Sequence, residues 1–115
     1  MEQVRQIIFY RHYFDVFFNK QTEKVKNKID EVLFLIKIVD RVPKKFLQHI
    51  ENTNGLYEVR VDFGGNIFRI FCCFDKGHLV VLFNGFQKKT HKTPKFEIEK
   101  AILLMEEYFL EKGKQ

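Results

Sequence analysis

The sequence predicts an α+β fold in which helices pack against a small antiparallel sheet, in the order β-α-α-β-β-β-α. Three observations carry that expectation. Residues 56–83 hold three short runs rich in β-branched and aromatic residues, LYEVRVDF, IFRIFCCF and HLVVLF, separated by GGN and DKG. Such runs read as strands joined by tight turns. The segments on either side, 20–39 and 93–109, repeat their apolar residues every three to four positions, the spacing of an amphipathic helix. With 115 residues, 45% of them hydrophobic and 14 of them Phe, the chain has material for one core, and residues 1–115 read as a single domain.

Taken in order, residues 5–11 (RQIIFYR) suit a short strand, and Phe14, Phe17 and Phe18 then recur at helical spacing. From Lys20 to Val39, the positions Val25, Ile29, Val32, Leu33, Ile36 and Val39 form the apolar stripe of a second helix, which ends before Pro43. Its last stretch, VLFLIKIV, is apolar around most of its circumference, more than one core face consumes, so part of it is expected to meet a partner. The last helix is expected to start at Thr93-Pro94, a favoured cap residue followed by proline, and to bury Ile98, Ile102, Met105 and Phe109.

Composition excludes several classes. No window approaches the roughly 18 apolar residues that span a bilayer, and no secretory leader is evident, so a protein of the cytoplasm is expected. The adjacent Cys72 and Cys73 point to opposite faces of a strand, where they neither bridge nor share a metal. The formal charge of +5 favours polyanionic partners.

Strand register gathers that charge. Along LYEVRVDF, Tyr57, Val59, Val61 and Phe63 share one face and Glu58, Arg60 and Asp62 the other. A two-residue turn at Gly64-Gly65 sets Arg60 opposite Arg69 and continues the core face through Phe68, Ile70, Cys72 and Phe74. One more loop residue would instead drive Arg69 into the core, so Arg69 is expected outside it. The same parity at DKG places Leu79, Val81 and Phe83 in the core, with Asn84 beside Arg69 and Phe86 on the same noncore face. Opposed arginines repel. Either Glu58 or Asp62 neutralises them, or they form a site for phosphate, which arginine forks recognise in planar fashion. The next stretch, NGFQKKTHKTPKF, carries Lys88, Lys89, Lys92, Lys95 and His91 with no carboxylate, and an aromatic among cations suits single-stranded nucleic acid.

These residues resemble the RelE/ParE superfamily of bacterial toxin-antitoxin toxins, and within it the phage-derived HigB-like branch. The resemblance lies in VPKKFLQHIE, GLYEVRV, GGNIFRIFCCFD and NGFQKKTHKTPKFEIEKA, across the last two thirds of the chain. It implies a RelE-like microbial RNase fold and a metal-independent mRNA interferase that needs no cofactor. It also implies action on ribosome-bound messenger RNA and silencing by a cognate antitoxin, a HigA-like helix-turn-helix protein forming a hetero-oligomer with the toxin. By the resemblance, Arg69 matches the arginine that binds the scissile phosphate and Arg60 a basic position that contacts backbone, while Lys88, Lys89 and Lys92 match the basic loop. Phe86 stands near where some relatives carry a catalytic tyrosine, and a phenyl ring stacks but moves no proton. The general base and acid are therefore unassigned. His91, a lysine among other cations or Glu58 are the residues of suitable chemistry. The expected site comprises Arg69, Lys88, Lys89 and His91 in catalysis and Arg60, Asn84, Phe86 and Lys92 in RNA binding. Two rivals stand beside it: a noncatalytic ParE-like poison of DNA gyrase, and a basic module that coats RNA.

Overall fold

The computed structural model describes residues 2–113. A five-stranded mixed sheet in the order β1-β5-β4-β3-β2 forms the middle layer, with helices on both faces. The α+β class and every expected element are present. Strand β1 (Gln6–Phe9) leads into α1 (Tyr13–Asn19) and α2 (Glu23–Ile38), followed by β2 (Leu47–His49), β3 (Tyr57–Phe63), β4 (Asn66–Asp75), β5 (Leu79–Lys88) and α3 (Lys95–Lys112).

Two features differ from the expected antiparallel arrangement. Strand β1 pairs with β5 in parallel, Gln6 opposite Leu79 through Phe9 opposite Leu82. Parallel neighbours need a long crossover, and α1, α2 and the antiparallel strands supply it. Strand β2 was not expected at all. It is three residues on the sheet's edge, held by backbone pairing to β3, and so short a segment has no side-chain period to betray it.

The β3–β4 hairpin follows the expected register, with Phe63 opposite Asn66 and Arg60 opposite Arg69. Gly64 and Gly65 both have positive φ, 58° and 81°, as a two-residue type I′ turn requires. The next hairpin departs from it. Asp75 pairs with Leu79, so its loop is Lys76, Gly77 and His78, one residue longer than the assumed parity. Leu79, Val81 and Phe83 therefore point away from the face of Phe68 and Ile70, and Val80 and Leu82 take their places. A bulge between Ile70 and Cys72 shifts the ladder again and sets Phe86, not Asn84, opposite Arg69.

Both sheet faces are core. Against α1 and α2 lie Val59, Val61, Phe68, Ile70, Val80 and Leu82, packed on Phe17, Ile29 and Ile36. Against α3 lie Phe71, Cys73, Val81, Phe83 and Phe86, packed on Ala101, Leu104 and Met105. The run IFRIFCCF announces this, because a strand buried on both faces reads as continuous rather than alternating hydrophobicity. Cys72 and Cys73 are free thiols, buried one on each face, and burial pushes the Cys73 thiol up to about 12.

Local chemistry fixes the helices. Thr22 Oγ1 accepts the Val25 amide at 3.3 Å and caps α2, while Arg5 donates to the Ile36, Val39 and Asp40 carbonyls at the other end. Helix α3 starts one residue later than expected, with Pro94 itself in the cap position and no side-chain cap. Its C-terminal end is tied to the sheet at Asp75, which accepts from Tyr108 Oη at 2.7 Å and Lys112 Nζ at 2.5 Å. The site holds the Asp75 carboxyl below the ordinary carboxylate range, first through Lys112 and then through Tyr108. A carboxylate depressed in the folded state stabilises above its unfolded pKa and loses that contribution as pH falls through the folded value. Helix α1 reaches the sheet over Gly85, where a Cβ would stand 2.6 Å from the Phe17 ring.

Two outcomes follow from these anchors. Gly85→Ala should destabilise the protein by about 1–3 kcal/mol through overpacking against Phe17. Thermal unfolding checks this, and an unchanged midpoint would mean that Phe17 moves aside freely. Asp75→Asn should cost about 1.5–3 kcal/mol at neutral pH and flatten the loss of stability as pH falls through and below about 4. Urea titrations across that range would refute the anchor if mutant and parent kept parallel pH profiles.

Candidate nucleic-acid interface

Strands β3, β4 and β5 place Arg60, Arg69 and Phe86 in one row across the sheet, on the α3 side. Lys88 follows Phe86 by two residues, which returns its side chain to the same face and makes it a diagonal neighbour of Arg69. The row thus gathers what the sequence expected, but not in the expected state.

Arg69 is 3% exposed, not outside the core. Its Nε lies 3.3 Å from Glu58 Oε2, an ion-pair contact without hydrogen-bond geometry, and its Nη1 lies 3.3 Å from Asp62 Oδ1 and donates to the Phe68 carbonyl at 3.0 Å. Glu58 Oε2 is also 3.2 Å from Arg60 Nε, so one carboxylate sits between both guanidiniums. Gln48 on β2 accepts from Arg60 Nη1 at 2.9 Å and orients that fork. The repulsion of the opposed arginines is therefore relieved inside the protein, two charges against two.

The two carboxylates differ. Glu58 is nearly enclosed, whereas Asp62 is 71% exposed in its side chain and joined to Arg69 by a single contact. Arg60, half-buried, also lines a furrow with Lys28, Lys45 and Asp62 at the edge where β2 begins.

Beyond the row the charge is uncompensated. Lys89, His91 and Lys92 are exposed in the loop between β5 and α3, and Lys88 is half-buried at the strand's end. Lys95 pairs with Glu99, but among the described residues Lys88, Lys89 and Lys92 have no carboxylate within ion-pair distance. Thr90 Oγ1 donates to the Lys92 carbonyl at 2.8 Å and braces the loop.

Phe86 is 8% exposed and stacks on Phe71 at 5.7 Å between centroids, so the core consumes most of the ring expected to hold a base. Asn84 is also buried; its Nδ2 lies 3.3 Å from Glu97 Oε1 on α3. Both residues form one wall of a cleft of about 660 Å³ between α1 and α3, with Tyr13, Lys20, Glu97 and Lys100 on the others. Sequence reasoning missed this cleft. Its α1 residues lie far from β5 in the chain, and the only signal was the polar Asn84 closing an apolar run.

A second concavity, lined by Phe9, Phe14, Phe18, Leu33 and Phe34, lies between β1, α1 and α2. Phe34, in the run expected to exceed one core face, is 52% exposed. No helix among the described residues is long and apolar enough to cross a membrane.

The family model described as "Phage derived protein Gp49-like (DUF891)" matches residues 16–106, more than three quarters of the chain. Among curated proteins none matches.

Proposed function

This chain belongs to the Gp49-like family of phage-derived proteins, within the RelE-like toxin superfamily, and we propose that it is a toxin that cuts messenger RNA without a metal. The observation that carries the reading is the arginine row of β3 and β4, continued by Lys88, Lys89 and Lys92 with no carboxylate to neutralise them. A chain of phosphates supplies the missing anions.

In this reading the ribose 2′-OH attacks its own phosphate in line, the bond to the 5′ oxygen breaks, and a 2′,3′-cyclic phosphate and a 5′-OH result. Arg60 and Arg69 stabilise the charge that develops on the phosphoryl oxygens. Lys88, Lys89 and Lys92 neutralise that phosphate and its neighbours. His91, exposed on the loop, is the proposed acceptor of the 2′-OH proton, and the leaving 5′ oxygen takes its proton from solvent water. Asp62 occupies the place of a phosphate oxygen on Arg69 and swings away when RNA binds. The enzyme is of HigB type, works in the cytoplasm on messenger RNA in the ribosome, and is silenced by a HigA-like helix-turn-helix antitoxin.

A second reading has one observation in its favour. Arg69 is enclosed and doubly paired, as a structural arginine would be, which suits a poison that binds a protein such as gyrase and cuts nothing.

Incubation with translating ribosomes, followed by mapping of RNA ends, decides between them. The first reading expects cyclic-phosphate ends that vanish in Arg60→Ala, and a salt dependence of RNA binding that flattens by about 0.7 in log-log slope for each of Lys88→Ala and Lys89→Ala. Asp62→Asn should bind RNA severalfold more tightly. Intact RNA together with arrested growth would overturn it in favour of a protein target. Arg69→Ala is a poor probe, because it empties a buried position and leaves the nearly enclosed Glu58 with Arg60 alone, which costs folding stability. Arg69→Lys keeps the charge and loses the fork.

The antitoxin is proposed to dock on the apolar concavity around Phe9 and Phe34, leaving the arginine row open and excluding the complex from the ribosome by bulk. Hydrogen exchange should then show protection concentrated in residues 25–40. Protection concentrated in 58–70 and 84–93 would mean that the antitoxin covers the cationic face itself.

A further inference from the structure

We infer that the cleft between α1, β5 and α3 is a subsite for a single guanine base of the RNA, next to the phosphate held at the arginine row. This rests on the RNA-cutting reading and deepens it by naming the base that is selected.

The argument starts at Asn84. The Glu97 carboxylate and the Glu97 backbone carbonyl, 3.3 and 3.5 Å from its amide nitrogen, are both acceptors, so the amide is oriented with Nδ2 toward them and Oδ1 away. Oδ1 is then buried with no donor. Buried polar groups are ordinarily satisfied, and one that is not marks a place where a bound donor belongs. The neighbouring polar group is Glu97, whose carboxylate is also acceptor-only. This corner of the cleft therefore offers two acceptor groups, the Asn84 Oδ1 and the Glu97 carboxylate, and asks for a ligand edge that carries donors.

Among the four RNA bases, guanine alone presents adjacent donors, its N1–H and N2–H. Adenine and cytosine each set an acceptor beside their amine, and uracil sets two acceptors around its single N–H. The rest of the cleft suits a base carried on phosphate. Tyr13 offers an aromatic wall and Phe86 an apolar edge, and the volume lies in the range of small-ligand sites. Lys20 and Lys100 stand at the lips without an ion pair among the described residues, Lys100 with its Nζ 5.3 Å from the Tyr13 ring.

Strand pairing supplies the adjacency. Phe86 is a wall of the cleft and is also the register partner of Arg69. Beyond Tyr10, whose amide bonds to the Leu82 carbonyl, β1 no longer covers β5, so the edge of residues 84–87 is left to the cleft. A base reaching over that edge belongs to a nucleotide beside the one whose phosphate meets Arg69.

Titration of the full chain with GMP, AMP, CMP and UMP, followed by backbone amide shifts, tests the subsite apart from cleavage. GMP should shift Tyr13, Lys20, residues 84–87 and Lys100, and bind about tenfold tighter than the other three. Glu97→Gln should erase that preference, since an amide offers a donor where guanine needs an acceptor, while Lys20→Ala and Lys100→Ala should weaken all four nucleotides alike. Asn84→Ala should also lose the preference, and the exposed lysine variants keep the test informative if it folds poorly. Equal binding of all four bases, or shifts confined to the loop of residues 89–93, would overturn the guanine subsite. GMP binding in the cleft without RNA cleavage would uphold it and sink the nuclease reading instead.

Discussion

Glu58 between two arginines is the constraint on which this protein's cationic face depends. Cross-strand register forces Arg60 and Arg69 together, and neither could be tolerated there unpaired. A carboxylate on the same strand, two residues before Arg60, returns to the same face and reaches both guanidiniums. The clamp also fixes the planes of the forks, and arginine recognises a phosphate only in a defined plane. A buried ion pair of this kind contributes little net stability, because desolvation offsets the attraction. What it supplies is position.

The surrounding sheet explains why position survives. Strand β4 carries Arg69 between two apolar layers, one closed by α1 and α2 and the other by α3, so the residue cannot drift toward either face. The lysines of the following loop have the opposite character, exposed and unpaired, and they adapt to whatever anion arrives. In the proposed reading, a rigid pair of forks beside an exposed cluster of point charges divides recognition into an oriented part and a long-range part.

How much of this was legible follows from what each residue depends on. The two-residue turn at Gly64-Gly65, and with it the opposition of Arg60 and Arg69, needed only the parity of one hairpin and one buried-charge argument. The next hairpin failed the same reasoning, because Lys76, Gly77 and His78 make a loop of odd length and a bulge at Ile70–Cys72 shifts the register once more. Neither leaves a mark in composition. Arg69 was expected outside a one-sided core, although the run from Ile67 to Phe74, apolar everywhere but at Arg69 itself, already spoke for burial on both faces. The α1–α3 cleft was illegible for a different reason. It joins Tyr13 and Lys20 to Asn84 and Lys100, residues that only the parallel seating of β1 brings together.

That parallel seating bears on how the chain reaches its native state. The first strand of the sheet finds its partner in the last, so β1 must wait, unpaired, until residues 79–82 have been synthesised, and the closure of so long a loop is slow. Helix α1, which packs on β5, spends this interval without the strand that buries its apolar face. The β1 edge of the sheet, and the cleft beside it, thus form only once β5 is in place, later in synthesis than the β3–β4 hairpin that carries the two arginines.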